Sequence, residues 1–491
     1  MSFFPPLAFY SNSFERKEPA PGERECFPSP SGNRPPVTPG QRAHTRGGQE
    51  ERSGLDPTRP TWDCTAAAMP RCVEVLIIGA GNRGQTYSFF SKDFPERMKV
   101  VGVADCRLIA RQNLQMKYSV KDCNVFDDWK GAAAQERFAD AVIIATPDRQ
   151  HKEPAVAFAE KGYHILLEKP MAVTVDDCKE IVAVCKKNNV ILSVCHVLRY
   201  SPVVLKVTEL LSQGVIGEVV HIQHLEPVGF YHFAHSFVRG NWRNEQESTF
   251  SLMAKSCHDI DIINSLMGGK RCIKVSSFGS LSHFTKENKP KGAAARCLDC
   301  AVEESCPYSA KKLYLEGVKN GKKGWPISVI CEGSVVDIES VTKALCEGPY
   351  GRCVYECDND VVTHQVVNME FEGGMTAAFT MVAFTEKLCD RRITVYGTKG
   401  ELSSEGQNPV TVFDFLTQTK KEYPSDYSAM QKTHLGAHGG ADYYLMDSFI
   451  QAVAENNPSL IRTGPEETLA SHLLVFDAER ARRENRVVCC D

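Results

Sequence analysis

The stretch VEVLIIGAGNRG, residues 73–84, decides the fold. Its first half, Val73–Ile78, is an apolar run interrupted only by Glu74, the pattern of a strand buried on both faces. It leads directly into Gly79-Ala80-Gly81-Asn82-Arg83-Gly84, and a helical stretch follows over Gly84–Lys92. Strand, G-x-G-x-x-G loop and helix in that order make the phosphate cradle of a dinucleotide-binding unit. Gly79 permits the tight turn, Gly81 lets the backbone approach a pyrophosphate, and Gly84 allows the helix to pack closely on the strand. The anion then rests on unpaired N–H groups at the helix N-terminus, with Asn82 and Arg83 beside it. Asp105 closes the next apolar run, 21 residues after Gly84, where a carboxylate accepts hydrogen bonds from the adenosine ribose. Its charge repels a 2′-phosphate, which favours NAD over NADP, while Arg107 is the nearby group that would accommodate one.

Outward from this loop, short apolar runs alternate with helical stretches. The runs are Val100–Ala104, Ala141–Ala145, His164–Leu167 and Val190–Val194. Between them lie helices predicted over Leu108–Lys117, Glu153–Lys161 and after Thr174, the last with Asp176 and Asp177 in its first turn. The fold class is therefore α/β: an N-terminal Rossmann domain, doubly wound on a parallel sheet, over 69–196. From residue 197 to 491 the pattern predicts an α+β domain with a mainly antiparallel sheet. Its strands fall near Val219, Ile273–Ser280, Val361–Phe371, Met375–Phe384 and Arg392–Tyr396, and tight turns at Glu372-Gly373-Gly374 and Thr398-Lys399-Gly400 join adjacent pairs. A Lys-, Gly- and Cys-rich insertion spans about 284–350, and helices are expected over Asp442–Glu455 and Glu466–Arg483. Residues 1–68 hold eleven of the 26 prolines with no sustained periodicity, and are expected to be a disordered tail.

With 57 basic and 61 acidic residues, the chain offers no electrostatic footprint for nucleic acid or an anionic membrane. No apolar run reaches the roughly 20 residues of a membrane helix, and the N-terminus lacks the pattern of a signal peptide. Twenty cysteines are dispersed, several inside helical patterns, so reduced thiols and a cytoplasmic location are the expectation.

Two further segments carry chemistry. Ala145-Thr146-Pro147-Asp148-Arg149-Gln150-His151 and Glu168-Lys169-Pro170 both follow core strands, where open α/β sheets bind ligands. A lysine there can stabilise a developing alkoxide. His258, on a helix with Asp261 three residues on, suits the base that takes a hydroxyl proton near neutral pH.

Taken with the second-domain layout, these motifs resemble the Gfo/Idh/MocA family (glucose–fructose oxidoreductase, inositol dehydrogenase and relatives). The resemblance covers roughly residues 71–400. It implies reversible NAD(P)-linked oxidation of a hydroxyl on a sugar, cyclitol or related polyol, and a homo-oligomer joined through the C-terminal sheet. Residue by residue, it implies that Thr146, Pro147, His151 and Glu168 lie near the cofactor and Lys169 in the catalytic centre. His196 through Pro202 resembles the family's crossover into the substrate domain. His258 corresponds to the histidine that meets the substrate hydroxyl. Many members carry an aspartate four residues before it; this chain has Ala254, then Lys255. Tyr200, Arg239, Trp242, Lys255 and Asp261 complete the expected substrate site.

Cys297-Leu298-Asp299-Cys300 has ligand-like spacing, and Cys306 follows after five intervening residues. A second C-x-x-C is missing, and a fourth donor would come from His283 or Cys331, so the expectation is a cluster of reduced thiols without metal. Two functional alternatives stay open beside the dehydrogenase: a family-related glycosidase that oxidises its substrate transiently with tightly bound NAD, and a non-catalytic NAD(H) sensor.

Overall fold

A computed structural model describes residues 71–331, 335–431 and 433–490; the expectation for residues 1–68 lies outside them. The first layer is built from β1 (Val73–Ile78), α1 (Asn82–Asp93), β2 (Met98–Ala104), α2 (Leu108–Tyr118), β3 (Val125–Phe126), α3 (Trp129–Ala134), β4 (Ala141–Ile144), α4 (Lys152–Glu160), β5 (His164–Leu167), α5 (Val175–Lys187) and β6 (Leu192–Val194). The strands form one parallel sheet in the order β3-β2-β1-β4-β5-β6. That is the order of a dinucleotide-binding Rossmann sheet, with its switch point between β1 and β4. The lack of alternation in these strands has the expected cause: β1 is buried at every position except Glu74, and β4 throughout. Helix boundaries follow local chemistry. Thr174 caps α5 through its side chain, with acids in the first turn and lysines in the last. The short edge strand β3 escaped the pattern because two residues show no periodicity.

Pro202 sits in the first turn of α6 (Pro202–Ser212), behind the Ser201 cap, and α6 leads to β7 (Val219–Pro227). Three helices, α7 (Phe230–Phe233), α8 (Ser251–Ala254) and α9 (Cys257–Leu266), then run to β8 (Cys272–Ser280). The insertion holds α10 (Glu316–Lys319) and α11 (Ile338–Glu347), set among single helical turns. Strands β9 (His364–Phe371), β10 (Thr376–Val382), β11 (Arg392–Gly397), β12 (Gly400–Glu405), β13 (Val410–Asp414) and β14 (Thr419–Tyr423) follow. Helices α12 (Ala441–Glu455) and α13 (Pro465–Glu484) and the short β15 (Val488–Cys489) close the described chain. The second sheet runs β14-β13-β12-β11-β7-β10-β9-β8-β15 and is antiparallel except where β7 lies parallel to β10. Both predicted tight turns join antiparallel neighbours, β9 to β10 and β11 to β12. Among the described residues no helix is long and apolar enough to cross a membrane.

Two helices from the end of the chain return to the first layer. α13 packs against β8 and α9 but also against α5 and β6, while α12 lies against α1 and β1. The tie is polar as well as apolar. Arg83, in the first turn of α1, donates to the buried carboxylate of Asp442 in α12 (Nη2 to Oδ1, 2.6 Å) and to Glu168 beyond β5 (Nε to Oε1, 2.7 Å). Breaking one arm of such a buried pair strands a charge. Asp442→Asn is expected to cost about 2–3 kcal/mol, less than a fully buried pair because Arg83 keeps Glu168 and some solvent. A urea midpoint lowered at unchanged slope checks this; an unchanged midpoint refutes it.

Candidate functional site

The glycine loop has the form a bound pyrophosphate requires. Gly79 adopts φ +89°, and a Cβ there would lie 2.5 Å from the Ala145 carbonyl oxygen at the end of β4. A Cβ on Gly84 would lie 2.0 Å from the Gly79 oxygen. Any side chain at either position would separate the two strand ends or push α1 off the loop. Gly81 caps α1 without any side-chain acceptor, so the helix N-terminus is open to an anion. Asn82 opens α1 and is exposed. Thr146 and Pro147 follow β4 directly across the switch point.

Asp105 accepts from the Ala80 N–H (2.7 Å) and from the Arg107 backbone and guanidinium. Burial opposes its charge, but these bonds prevail and hold its carboxyl below the usual range. The Arg107 guanidinium thus lies over the acid expected to read the ribose.

Lys169 stands past the end of β5. Its Nζ donates to the Ala254 carbonyl (2.7 Å) and lies 6.0 Å from the Trp242 ring centre. Trp242 is turned the other way at its polar edge, donating from Nε1 to Asp148 (3.0 Å). His258, on α9 one turn beyond Ala254, is buried and its Nδ1 has no partner. Burial, then the Lys169 charge, pushes its pKa well below the ordinary histidine value. A neutral imidazole on α9 and the lysine beyond β5 are therefore neighbours. The imidazole is free to take a proton, and the lysine is placed to steady an oxyanion.

Several expected contacts are corrected by the structure. Asp261 does not hold the His258 ring: its carboxylate is engaged by the Arg199 guanidinium (3.4 Å) and by Ser471 of α13. Arg239 is not part of the Lys169 site; it sits at the root of the insertion. It is 1% exposed, donating to the carbonyls of Arg352 and Tyr308 and to the Cys297 sulfur, which anchors the insertion. The Tyr200 hydroxyl accepts from the Arg462 N–H (2.9 Å) and meets Thr463, so it clamps the segment before α13. Lys255 turns into the sheet, paired with Glu226 (3.0 Å) and donating to the Cys389 sulfur. The side chains of Arg83 and Glu168 serve each other and Tyr87. His151 is fully buried with its nitrogens against the carbonyls of Pro170 and Thr146, so it braces the lysine turn instead of reaching a ribose.

Sequence reasoning missed His196, which packs edge-on between His258 (5.4 Å) and His472 (5.3 Å) with neither nitrogen partnered. It missed Asp442 and Thr463 as well. All three act across long chain separations, and the crossover motif that begins at His196 does not show the histidine stack.

The model of the oxidoreductase family's NAD-binding Rossmann fold matches residues 73–196, and that of the same family's C-terminal alpha/beta domain matches 208–490. The chain belongs to the Gfo/Idh/MocA oxidoreductase family. It is 27% identical over 322 residues to the oxidoreductase YteT of Bacillus subtilis, covering 63% of this chain and 71% of that protein. It is 29% identical over 213 residues to a 2,7-anhydro-N-acetylneuraminate hydratase of Mediterraneibacter gnavus, covering 43% and 54%. Among solved structures, scyllo-inositol dehydrogenase from Lactobacillus casei, with bound NAD(H) and scyllo-inositol, shares the fold at TM-score 0.57 and 17% identity, covering 85% of this chain and 99% of that one.

The histidine cluster has a measurable signature. Burial first, then neighbouring positive charge, pushes His196 and His472 down to about 3. The unfolded chain takes up these protons near pH 6.5 and the folded chain only near 3, so stability is full above 6.5 and falls as pH drops between the two. Each group contributes at most about 1.4 kcal/mol per pH unit in that window. His196→Asn is expected to flatten the pH dependence of unfolding between pH 6 and 4 by about that amount. A constant offset at all pH values would instead report only a cavity.

Proposed function

We propose that this chain oxidises a secondary hydroxyl of a sugar, cyclitol or related polyol, using NAD. The reading rests on one observation above the others: a neutral, buried His258 beside the Lys169 ammonium, on the turn whose Glu168 pairs with Arg83 of the glycine loop. The dinucleotide, when bound, supplies the hydride acceptor. In the proposal Gly79, Gly81 and Gly84 admit its pyrophosphate, Asp105 meets its adenosine ribose, and Thr146 and Pro147 flank its nicotinamide half. His258 takes the hydroxyl proton, and Lys169 stabilises the negative charge left on that oxygen. Trp242 offers an apolar wall beside Lys169. The buried imidazole stays unprotonated well below pH 6.5, so the acid limb of the rate profile belongs below that value.

A second reading, transient oxidation with return of the hydride, is favoured by the named activity of one relative, a hydratase, which is not a net oxidation. The glycosidase alternative shares that logic. Both readings use the same two residues; they differ in whether NADH accumulates.

Lys169→Met and His258→Asn are expected to leave NAD affinity within a few-fold. Each should slow single-turnover reduction of bound NAD by about 10²–10⁴, the usual contribution of a positioned group. Substrates come from a panel of polyols, sugars and glycosides. Unchanged rates in both variants would overturn the assignment. Calorimetric titration addresses cofactor choice: NAD should bind at least about tenfold tighter than NADP, with Asp105→Ser narrowing the gap. Equal affinity for NADP would make Arg107 the deciding group.

A further inference from the structure

We propose that the insertion is a zinc-binding lobe whose four ligands are Cys297, Cys300, Cys306 and Cys353. This replaces the expectation of free structural thiols, and it rests on four independent features.

The first is convergence. The four cysteines line one small pocket, together with the Arg239 side chain. Cys297 and Cys300 enclose one helical turn, Cys306 ends the next such turn, and an isolated antiparallel bridge, Arg296 to Arg352, brings Cys353 alongside Cys297. The backbone bond from the Cys353 N–H to the Ala295 carbonyl (2.8 Å) fixes that approach. The fourth ligand is thus neither His283, which meets the Tyr355 hydroxyl, nor Cys331, whose sulfur meets Ser340. It is a residue that spacing alone gave no reason to choose.

The second feature is the sulfur environment. The backbone N–H groups of Tyr308 and Tyr355, each two residues beyond a cysteine, hydrogen-bond to the sulfurs of Cys306 and Cys353. Amides aimed at sulfur stabilise thiolates and orient them toward a metal.

The third is charge. Four thiolates around a divalent ion carry a net −2, which a buried site must balance. Arg239, 1% exposed, donates from Nη2 to the Cys297 sulfur (3.4 Å), and its Nη1 has no partner. The Lys289 ammonium lies near enough to interact with Cys300 and Cys353 while paired with Glu356.

The fourth is need. The lobe has its own apolar cluster, separate from the two main cores, with only seven buried members: Cys297, Ala310, Tyr314, Ile327, Ile330, Val341 and Leu345. A core that small rarely holds a fold without a disulfide or a metal, and the described cysteines are all free.

Among the described residues no three ligand-type side chains already stand at metal-holding spacing. The thiols therefore turn inward about their Cα–Cβ bonds as the ion binds. Each gives its proton to solvent as a Zn–S bond of about 2.3 Å forms, and no electron is transferred because zinc is d¹⁰. Four sulfur donors in a closed, tetrahedral set favour zinc in a structural role over a hard oxygen-seeking cation.

The test uses the full chain, purified without chelator. Elemental analysis is expected to return about one zinc per chain, in the unmodified protein and in the exposed control Cys346→Ser. Cys297→Ser/Cys300→Ser and, separately, Cys353→Ser should lose most of it. Because such variants could unfold, the unmodified protein is also stripped with a chelator and reloaded with cobalt(II). A tetrahedral thiolate–cobalt spectrum supports the set, and so does protease sensitivity confined to the lobe in the stripped form. Less than about a tenth of an equivalent of zinc in protein grown with zinc would overturn the proposal, as would one equivalent retained in all cysteine variants. Iron with visible charge-transfer absorption would overturn the assignment to zinc.

Discussion

Glu168 is a carboxylate with almost no water, and it stays ionised because three donors converge on it. Arg83 and the Tyr87 hydroxyl reach one oxygen, and the Lys169 backbone N–H reaches the other. Burial disfavours that charge, and the nearby Arg83 and Lys169 charges restore it. The rest of the site hangs on this arrangement. Arg83 belongs to the first turn of the helix that follows the glycine loop, and its other arm ends on Asp442, far along the chain. One ion network therefore fixes the cradle, the turn bearing the candidate catalytic lysine, and a C-terminal helix against one another.

A second network does the same for the histidine. Asp259, adjacent to His258, accepts from His224 and Arg391, and Arg391 also pairs with Glu226, itself paired with Lys255. The strand β7 supplies His224 and Glu226, so α9 is pinned to the sheet by charge as well as by packing. Buried ion pairs of this kind add little net stability relative to apolar packing. What they do here is exclude alternative settings of the helix that carries His258, the residue before Asp259.

The fold was legible because its signals are local and physical. Strands buried on both faces read as unbroken apolar runs, and the glycine loop needs Gly79 and Gly84 where a Cβ would collide with backbone. The site was legible only in part. Lys169 and His258 announce themselves by position at a strand end and in a helix motif. Arg83, Glu168 and His151 look like cofactor contacts from their place in the motifs, yet their side chains are engaged with protein partners. Arg239 looks like a cleft residue from its Arg-Gly-Asn-Trp context, yet it lies inside the anchor of the insertion. In each case the deciding partner is remote in sequence: Asp442 for Arg83, Arg352 and Tyr308 for Arg239. Periodicity and spacing carry no information about such pairs.

The covering of β6 has a consequence for how the chain reaches this state. β6 is an edge of the parallel sheet, and a bare edge is a template for pairing with other chains. Here the Val194 N–H is taken by the Thr463 carbonyl (3.0 Å) and the Ser193 hydroxyl by the Thr463 side chain, with α13 laid alongside. During synthesis the strand leaves the ribosome some 270 residues before its cover. The nucleotide-binding layer is therefore made with an open margin, which is sealed only once Thr463 and α13 have followed it out.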